Sequence, residues 1–181
     1  MQERYLGDIH DYYKFLFLKF LSLNLKEQIG LNWYLVDPKE ISLKEVEKND
    51  GEKRAYLFKK ERIIDQKILD ECIALKLQKE RKILKFSKIS HLKEHIKFYD
   101  KKLSVKNRSK WINSSLLFFQ EKQIVFLDPD NGFKEIQNKS KRSIKYIYPN
   151  EIKLYLDKNK TVVFTQFQSF NKNHLTFLKE L

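Results

Sequence analysis

Gln123-Ile124-Val125-Phe126-Leu127-Asp128-Pro129-Asp130-Asn131-Gly132 is the stretch that decides the fold. Residues 123–127 are a short apolar run bounded by a turn, the pattern of a buried strand. The strand ends abruptly in Asp128, so a carboxylate is delivered to its carboxyl end. Pro129 fixes the turn that follows, and Gly132 supplies a positive φ angle or a close backbone approach. Asp128, Asp130, Asn131 and Gly132 thus gather two carboxylates, an amide and a permissive backbone in five residues. Each of these residue types also favours a plain turn, so an ordinary loop is the bland alternative. The same signature recurs at Val36-Asp37-Pro38, after a strand expected over residues 31–36.

Outward from these two strands the chain alternates. Residues 9–24 read as a helix that is apolar on nearly all sides and hence mostly buried. Residues 54–79 read as a helix carrying Ile64, Ile68, Cys72 and Leu75 at helical spacing. Residues 82–86 read as a weak second strand, 106–120 as a helix, 149–156 as a helix opened by Pro149, 161–165 as a strand, and 173–181 as the start of a last helix. No tight hairpin joins the strands, so crossover connections and a mainly parallel sheet are expected. In such sheets ligands bind beyond the carboxyl ends of the strands. That rule makes Asp128 and Asp37 candidates.

The chain has 181 residues, 41% of them hydrophobic, with 14 Phe and 9 Tyr, enough for one domain over 1–181 with its own core. There are only four glycines and three prolines. Gly30 and the rest read as punctuation between elements. Cys72 is the single cysteine; this rules out an internal disulfide framework and a cysteine-based zinc site, and its apolar setting marks a buried small hydrophobe. The N-terminus lacks the basic start and cleavage pattern of a signal peptide. The apolar run 15–23 is interrupted by Lys19 and is too short to span a bilayer. A cytoplasmic protein with no membrane partner is therefore expected.

Charge is distributed unevenly along the chain. The net charge is +13, yet residues 1–37 hold more acids than bases, while residues 76–110 hold thirteen Lys/Arg against Glu80, Glu94 and Asp100. A concentrated positive segment is the footprint of a polyanion binder, since each neutralised phosphate releases counterions. Lys82, Lys85 and Lys88 are the first candidates for contacting nucleic acid. The hydroxyl-rich basic loop 140–146 adds Lys141, Arg142 and Lys145. A compositional drift that raises Lys, Ile, Asn and Phe together accounts for the same excess without any ligand. His91 and His95 are spaced by four but lack the glutamate of a metalloprotease helix, and they read as part of the basic face.

A further site candidate precedes the first strand. Asp8, Asp11 and Lys14 recur every three residues and share one face of the helix. Two acids and a lysine on an otherwise apolar helix are costly unless they meet a ligand, a partner or water. Helix capping by Asp8 with an Asp11–Lys14 ion pair is the structural alternative. Gln166, at the end of the last strand, is a candidate hydrogen-bond partner for a base or cofactor. No Walker loop, Gly-x-Gly-x-x-Gly turn or Gly-x-Ser-x-Gly elbow is present, which argues against P-loop phosphotransfer and serine-esterase chemistry.

The layout Gly7-Asp8-x-x-Asp11-x-x-Lys14, apolar helix, strand, Gly51-Glu52 with Tyr56-Leu57, then Phe126-Leu127-Asp128-Pro129 resembles bacterial adenine-N6 methyltransferases acting on large-subunit ribosomal RNA. It looks closer still to a group of bacterial proteins sharing Gly-Asp-x-x-Asp-x-x-Lys and Asp-Pro-Asp-Asn-Gly. The resemblance implies an α/β fold with an open, mainly parallel Rossmann-like (methyltransferase-like) sheet and helices on both faces. It also implies S-adenosylmethionine as cofactor, with Asp11 and Lys14 near it and Asp128 accepting a hydrogen bond from the target amino group. Asp8, Asp37 and Gly132 fall at the cofactor edge of that layout. The chain departs from it in two places. Asp37-Pro38-Lys39-Glu40 stands where a Gly-rich turn is needed, and Asp130-Asn131 replaces the Pro-Tyr whose ring would stack on a flipped base.

Those departures support a rival, a Mg²⁺-dependent nuclease of defence type, in which Asp128 and Asp130, together with Asp37 and with Asp8 or Asp11, hold the metal and Lys14 or Lys145 stabilises the phosphate. A third class has no chemistry: a methyltransferase-like domain that only binds nucleic acid or a nucleotide.

Overall fold

A computed structural model describes residues 1–48, 63–76, 81–137, 139–167 and 173–179. Four strands, β1 (Ile29–Asn32), β2 (Ile96–Tyr99), β3 (Ile124–Leu127) and β4 (Thr161–Phe164), form one open sheet in the order β2-β1-β3-β4. Every pairing is parallel, and the register sets Leu31 of β1 beside both Phe98 of β2 and Phe126 of β3. The fold is Rossmann-like, as the alternation of elements implies.

Helices cover both faces. α1 (Ile9–Leu25) precedes β1, and α2 (Pro38–Ile41), α3 (Leu43–Glu47), α4 (Gln66–Lys76) and α5 (Ile83–Ile89) lie between β1 and β2. α6 (Arg108–Phe118) links β2 to β3, α7 (Pro149–Leu156) links β3 to β4, and α8 (His174–Lys179) follows β4. The chain leaves β1 in one direction to reach β2, then travels the other way past β1 to β3 and β4. Parallel crossovers are overwhelmingly right-handed, so a reversal of travel moves the connecting helices to the opposite face.

The core divides accordingly. On one face Ile29, Leu31, Ile96, Phe98 and Phe126 pack with Phe15 and Leu18 of α1, Ile68 and Cys72 of α4, and Phe86 of α5. On the other, Tyr99, Val125 and Leu127 pack with Trp111 and Ile112 of α6 and Tyr155 of α7. Alternate residues of each strand serve alternate faces, the period-two rule of a pleated sheet. Each fully buried large apolar side chain contributes roughly 1.5–3 kcal/mol.

Several expectations need correction. Residues 82–86 are not a strand: they open α5, whose buried residues Ile83 and Phe86 are three apart while Leu84 and Lys85 face outward. That is a helical period. The second strand is β2, inside the basic segment. Pairing of the first strand starts earlier and ends sooner than residues 31–36. Asn32 turns its side-chain oxygen back onto the Tyr34 N–H at 3.0 Å, and Tyr34 adopts a left-handed φ of 45°. Gly30 is not punctuation but lies within β1, where a Cβ would stand 2.7 Å from the Phe119 ring. α1 is not buried all round: Tyr13, Phe17, Phe20 and Leu23 are 42–60% exposed. Of the helix expected over 54–79, residues 54–62 and 77–79 lie outside the described residues, as does the Gly51-Glu52…Tyr56-Leu57 stretch. Among the described residues no helix is long and apolar enough to cross a membrane.

Candidate functional site

The strand order reverses beside β1, so the crevice beyond the carboxyl ends of β1 and β3 is where a sheet of this kind takes a ligand. Three of the expected residues meet there. Lys14, on the first turns of α1, places its Nζ 2.6 Å from Asp11 Oδ1 and 2.6 Å from Asp128 Oδ2. The Thr165 hydroxyl, just past β4, donates to Asp128 Oδ1 at 3.1 Å. The Lys14 ammonium also lies 4.6 Å from the centre of the Trp33 ring, a cation–π contact. Asp8 caps α1 by accepting from the His10 and Asp11 N–H groups, and Asp11 accepts from the Gly7 N–H at 2.7 Å. Asp8, Asp11, Lys14 and Asp128 are all buried.

Burial governs the electrostatics of this group. It pushes the Asp8 carboxyl up to about 7, helped by the neighbouring Asp11 charge. It raises the Asp11 carboxyl as well, although Lys14 opposes the shift. Burial works against the Lys14 charge too, but the adjoining carboxylates of Asp11 and Asp128 win and hold it above its ordinary value. Lys14 is therefore a fixed cation near neutral pH, unable to act as base or nucleophile. Both oxygens of Asp128 are occupied. The group works as a charge-assisted tie between the start of α1 and the end of β3.

Asp130 turns the other way and belongs to a second cluster. Its Oδ2 accepts from Gln2 Nε2 at 2.9 Å and lies 3.0 Å from Lys145 Nζ; the Met1 ammonium lies 4.0 Å from its Oδ1. Lys145 also contacts Glu45 Oε1 at 2.9 Å, and Gln2 Nε2 donates to the same oxygen at 3.0 Å. Burial opposes ionisation of Glu45, yet the hydrogen bonds from Lys145 and Gln2 bring its carboxyl down to about 2. The α-amino group of Met1 donates to the carbonyls of Tyr34 and Asp128 and is pushed below its ordinary value by burial. Met1 and Gln2 thus fill the crevice between the ends of β1 and β3.

The remaining expected residues are dispersed. Asp37 caps α2 through the Lys39 N–H at 3.0 Å and pairs with Lys102 at 3.1 Å. It makes no polar contact with Asp128 or Lys14 among the described residues. Gly132 has φ +85°, and a Cβ there would stand 2.4 Å from Gln166 Oε1. Gln166 uses that oxygen to accept from the Phe133 N–H, and the Asn131 N–H donates to the Lys145 carbonyl. These residues build the turn. His91 approaches Glu71 at 2.6 Å and His95 approaches Ser22 at 3.3 Å. The sequence reading missed Glu45, Gln2 and Trp33. Glu45 had a signal: Ser42-Lys44-flanked Ser42…Glu45 is a helix-start pattern, and Ser42 Oγ accepts from the Glu45 N–H at 3.1 Å.

Neither implied small partner fits these residues. A methyl donor needs room beyond β1, where Trp33, Tyr34, Leu35 and Val36 are buried against Met1. A divalent cation needs carboxylates facing one point, but Asp128 faces Lys14 and Asp130 faces Lys145. Among the described residues no group of three or more His, Cys, Asp or Glu side chains is placed to hold a metal.

The open site lies beside the crevice. A cleft of about 580 Å³ is lined by Lys82, Lys85, Lys88, Lys102, Leu84, Leu35, Glu3 and Asp100. It sits between α5 and the end of β2. Lys82 pairs with Glu3 at 3.6 Å and Lys102 with Asp37. Lys85 and Lys88 are exposed and have no ion-pair partner among the described residues. Lys141 and Arg142 are exposed as well, on a 3-10 turn over Lys141–Lys145, whereas Lys145 is committed to Glu45 and Asp130. No family model, no curated protein and no solved structure matches the chain.

Proposed function

We propose that this chain is a nucleic-acid-binding protein that grips the phosphate backbone in the lysine cleft, and that binding rather than chemistry is its function. One observation carries the reading: Lys82, Lys85, Lys88 and Lys102 line a single cleft at the carboxyl edge of the sheet, and two of them, Lys85 and Lys88, have no ion-pair partner among the described residues. Glu3 and Asp100 share the cleft, but Lys85 and Lys88 lie three residues apart on α5, and like charges so placed repel one another. A phosphate chain relieves that repulsion and gains counterion-release entropy. The volume falls within the roughly 300–1,000 Å³ of ordinary ligand sites. The buried carboxylates do not compete for this role, because their oxygens are spent on Lys14, Lys145 and Thr165.

The test is an anisotropy titration of labelled duplex and single-stranded oligonucleotides over a range of salt concentrations. Affinity should fall steeply with salt, and Lys85→Ala with Lys88→Ala should lower the log–log slope by about 1 per lysine while weakening all sequences alike. Salt-independent binding, or binding indifferent to both substitutions, contradicts the reading.

A further inference from the structure

The lysine cleft is not the only basic hollow on this edge of the sheet. A second, of about 340 Å³, is lined by Val105, Arg108, Gln137, Lys139 and Ser143. Lys102 lines the first and Val105 the second. Two residues, Leu103 and Ser104, separate them, so their Cα atoms are at most about 10 Å apart. Lys101 and Lys106 flank this connection, both exposed and without ion-pair partners among the described residues.

The wall of the second hollow is rigid. Arg108 is buried, with Nε 2.6 Å from Glu151 Oε1, and it also donates to the carbonyls of Ser143 and Tyr146. Its charge is largely answered by Glu151, so it shapes the wall and leaves the ligand side to others. Lys139 and Gln137 are exposed on that side, and Lys139 has no ion-pair partner among the described residues. The first turn of α6 opens beside them. It has no acidic residue, and its N-cap Asn107 makes no side-chain cap hydrogen bond. The partial positive charge of that turn therefore adds to the lysines instead of being cancelled.

Resting on the nucleic-acid reading above, we infer that the two hollows form one track: a strand seated in the lysine cleft crosses the loop at Lys101–Lys106 and places a further phosphate in the hollow at Lys139 and the start of α6. The partner is then an extended polynucleotide rather than a mononucleotide.

The experiment is a length series, from a mononucleotide up to single strands of about twelve nucleotides, titrated against the full chain at fixed low salt. Affinity should rise at least tenfold from the shortest ligands to those that span both hollows, then level off. Lys106→Ala with Lys139→Ala should weaken the long strands roughly tenfold and leave the mononucleotide unchanged. Lys85→Ala with Lys88→Ala should weaken both. All four lysines are exposed, so an unaltered far-UV spectrum separates lost binding from lost fold. Long strands that bind no better than short ones, or that ignore Lys106 and Lys139 while still requiring Lys85 and Lys88, overturn the track and leave the cleft standing. No binding to any oligonucleotide overturns the cleft itself.

Discussion

The chain places its cations in two very different regions. Around the β1 and β3 ends, Lys14 and Lys145 are enclosed by carboxylates: Asp11 and Asp128 for one, Asp130 and Glu45 for the other. Along α5 and the loop after β2, Lys85, Lys88, Lys101 and Lys106 are exposed and have no acidic partner among the described residues. The first region is electrostatically closed and the second is open. A paired, buried cation holds elements together and has little left for a ligand. An unpaired, exposed one costs little to carry and is available to a phosphate. The assignment of structure to one region and binding to the other follows from this difference.

Breaking the closed region should have the largest effect. Lys14→Met leaves Asp11 and Asp128 buried without their counter-charge, and should cost about 3–5 kcal/mol of stability in denaturant unfolding. Any fraction that stays folded should bind oligonucleotides as the parent does. A loss below 1 kcal/mol would show that the crevice admits water and that the tie is weaker than its geometry.

The acids of the closed region also divide by the sign of their pH dependence. Asp8 has a folded value of about 7 against an ordinary 3.8. Over that interval the unfolded chain is ionised while the folded chain retains the proton, so stability falls as pH rises through it. Glu45 is the reverse, about 2 when folded against an ordinary 4.5. Its contribution is complete above 4.5 and is lost as pH falls towards 2. Melting temperatures across pH should show both limbs. Asp8→Asn, which retains a capping side chain, should flatten the upper limb, and Glu45→Gln the lower.

Parts of the fold and of the closed region were legible in the sequence, whereas Lys145, expected to contact nucleic acid, is paired with Glu45 and Asp130, and each such exception has a physical cause. β3 was plain because an apolar run ended in Asp-Pro. The meeting of Asp11 and Lys14 followed from helical spacing, but its third member needed the fold. β2 was hidden because Ile96-Lys97-Phe98-Tyr99 sits among lysines, and Lys97 is accommodated by resting its ammonium 4.6 Å from the Phe118 ring centre. Asp37 and Asp128 carried the same Asp-Pro signature with different outcomes. Pro38 opens a short helix that Asp37 caps, whereas Asp128 meets a lysine 114 residues away. The division of Asp130 from Asp128 was likewise illegible, since adjacent carboxylates across one proline point to different partners only once α1 and the 140–146 loop are in place.

Changes in the open region should barely touch the fold. Lys85→Ala and Lys88→Ala should each alter stability by less than about 0.5 kcal/mol, the usual range for exposed substitutions. A larger loss would mean that these side chains pack against the cleft floor at Leu84 and Leu35 as much as they present charge.

The most direct measurement is oligonucleotide affinity for the charge-reversed protein Lys85→Glu with Lys88→Glu, taken beside its unfolding free energy. The account predicts an unfolding free energy close to that of the parent and oligonucleotide binding reduced at least a hundredfold at low salt. Parental affinity in the reversed protein would contradict it.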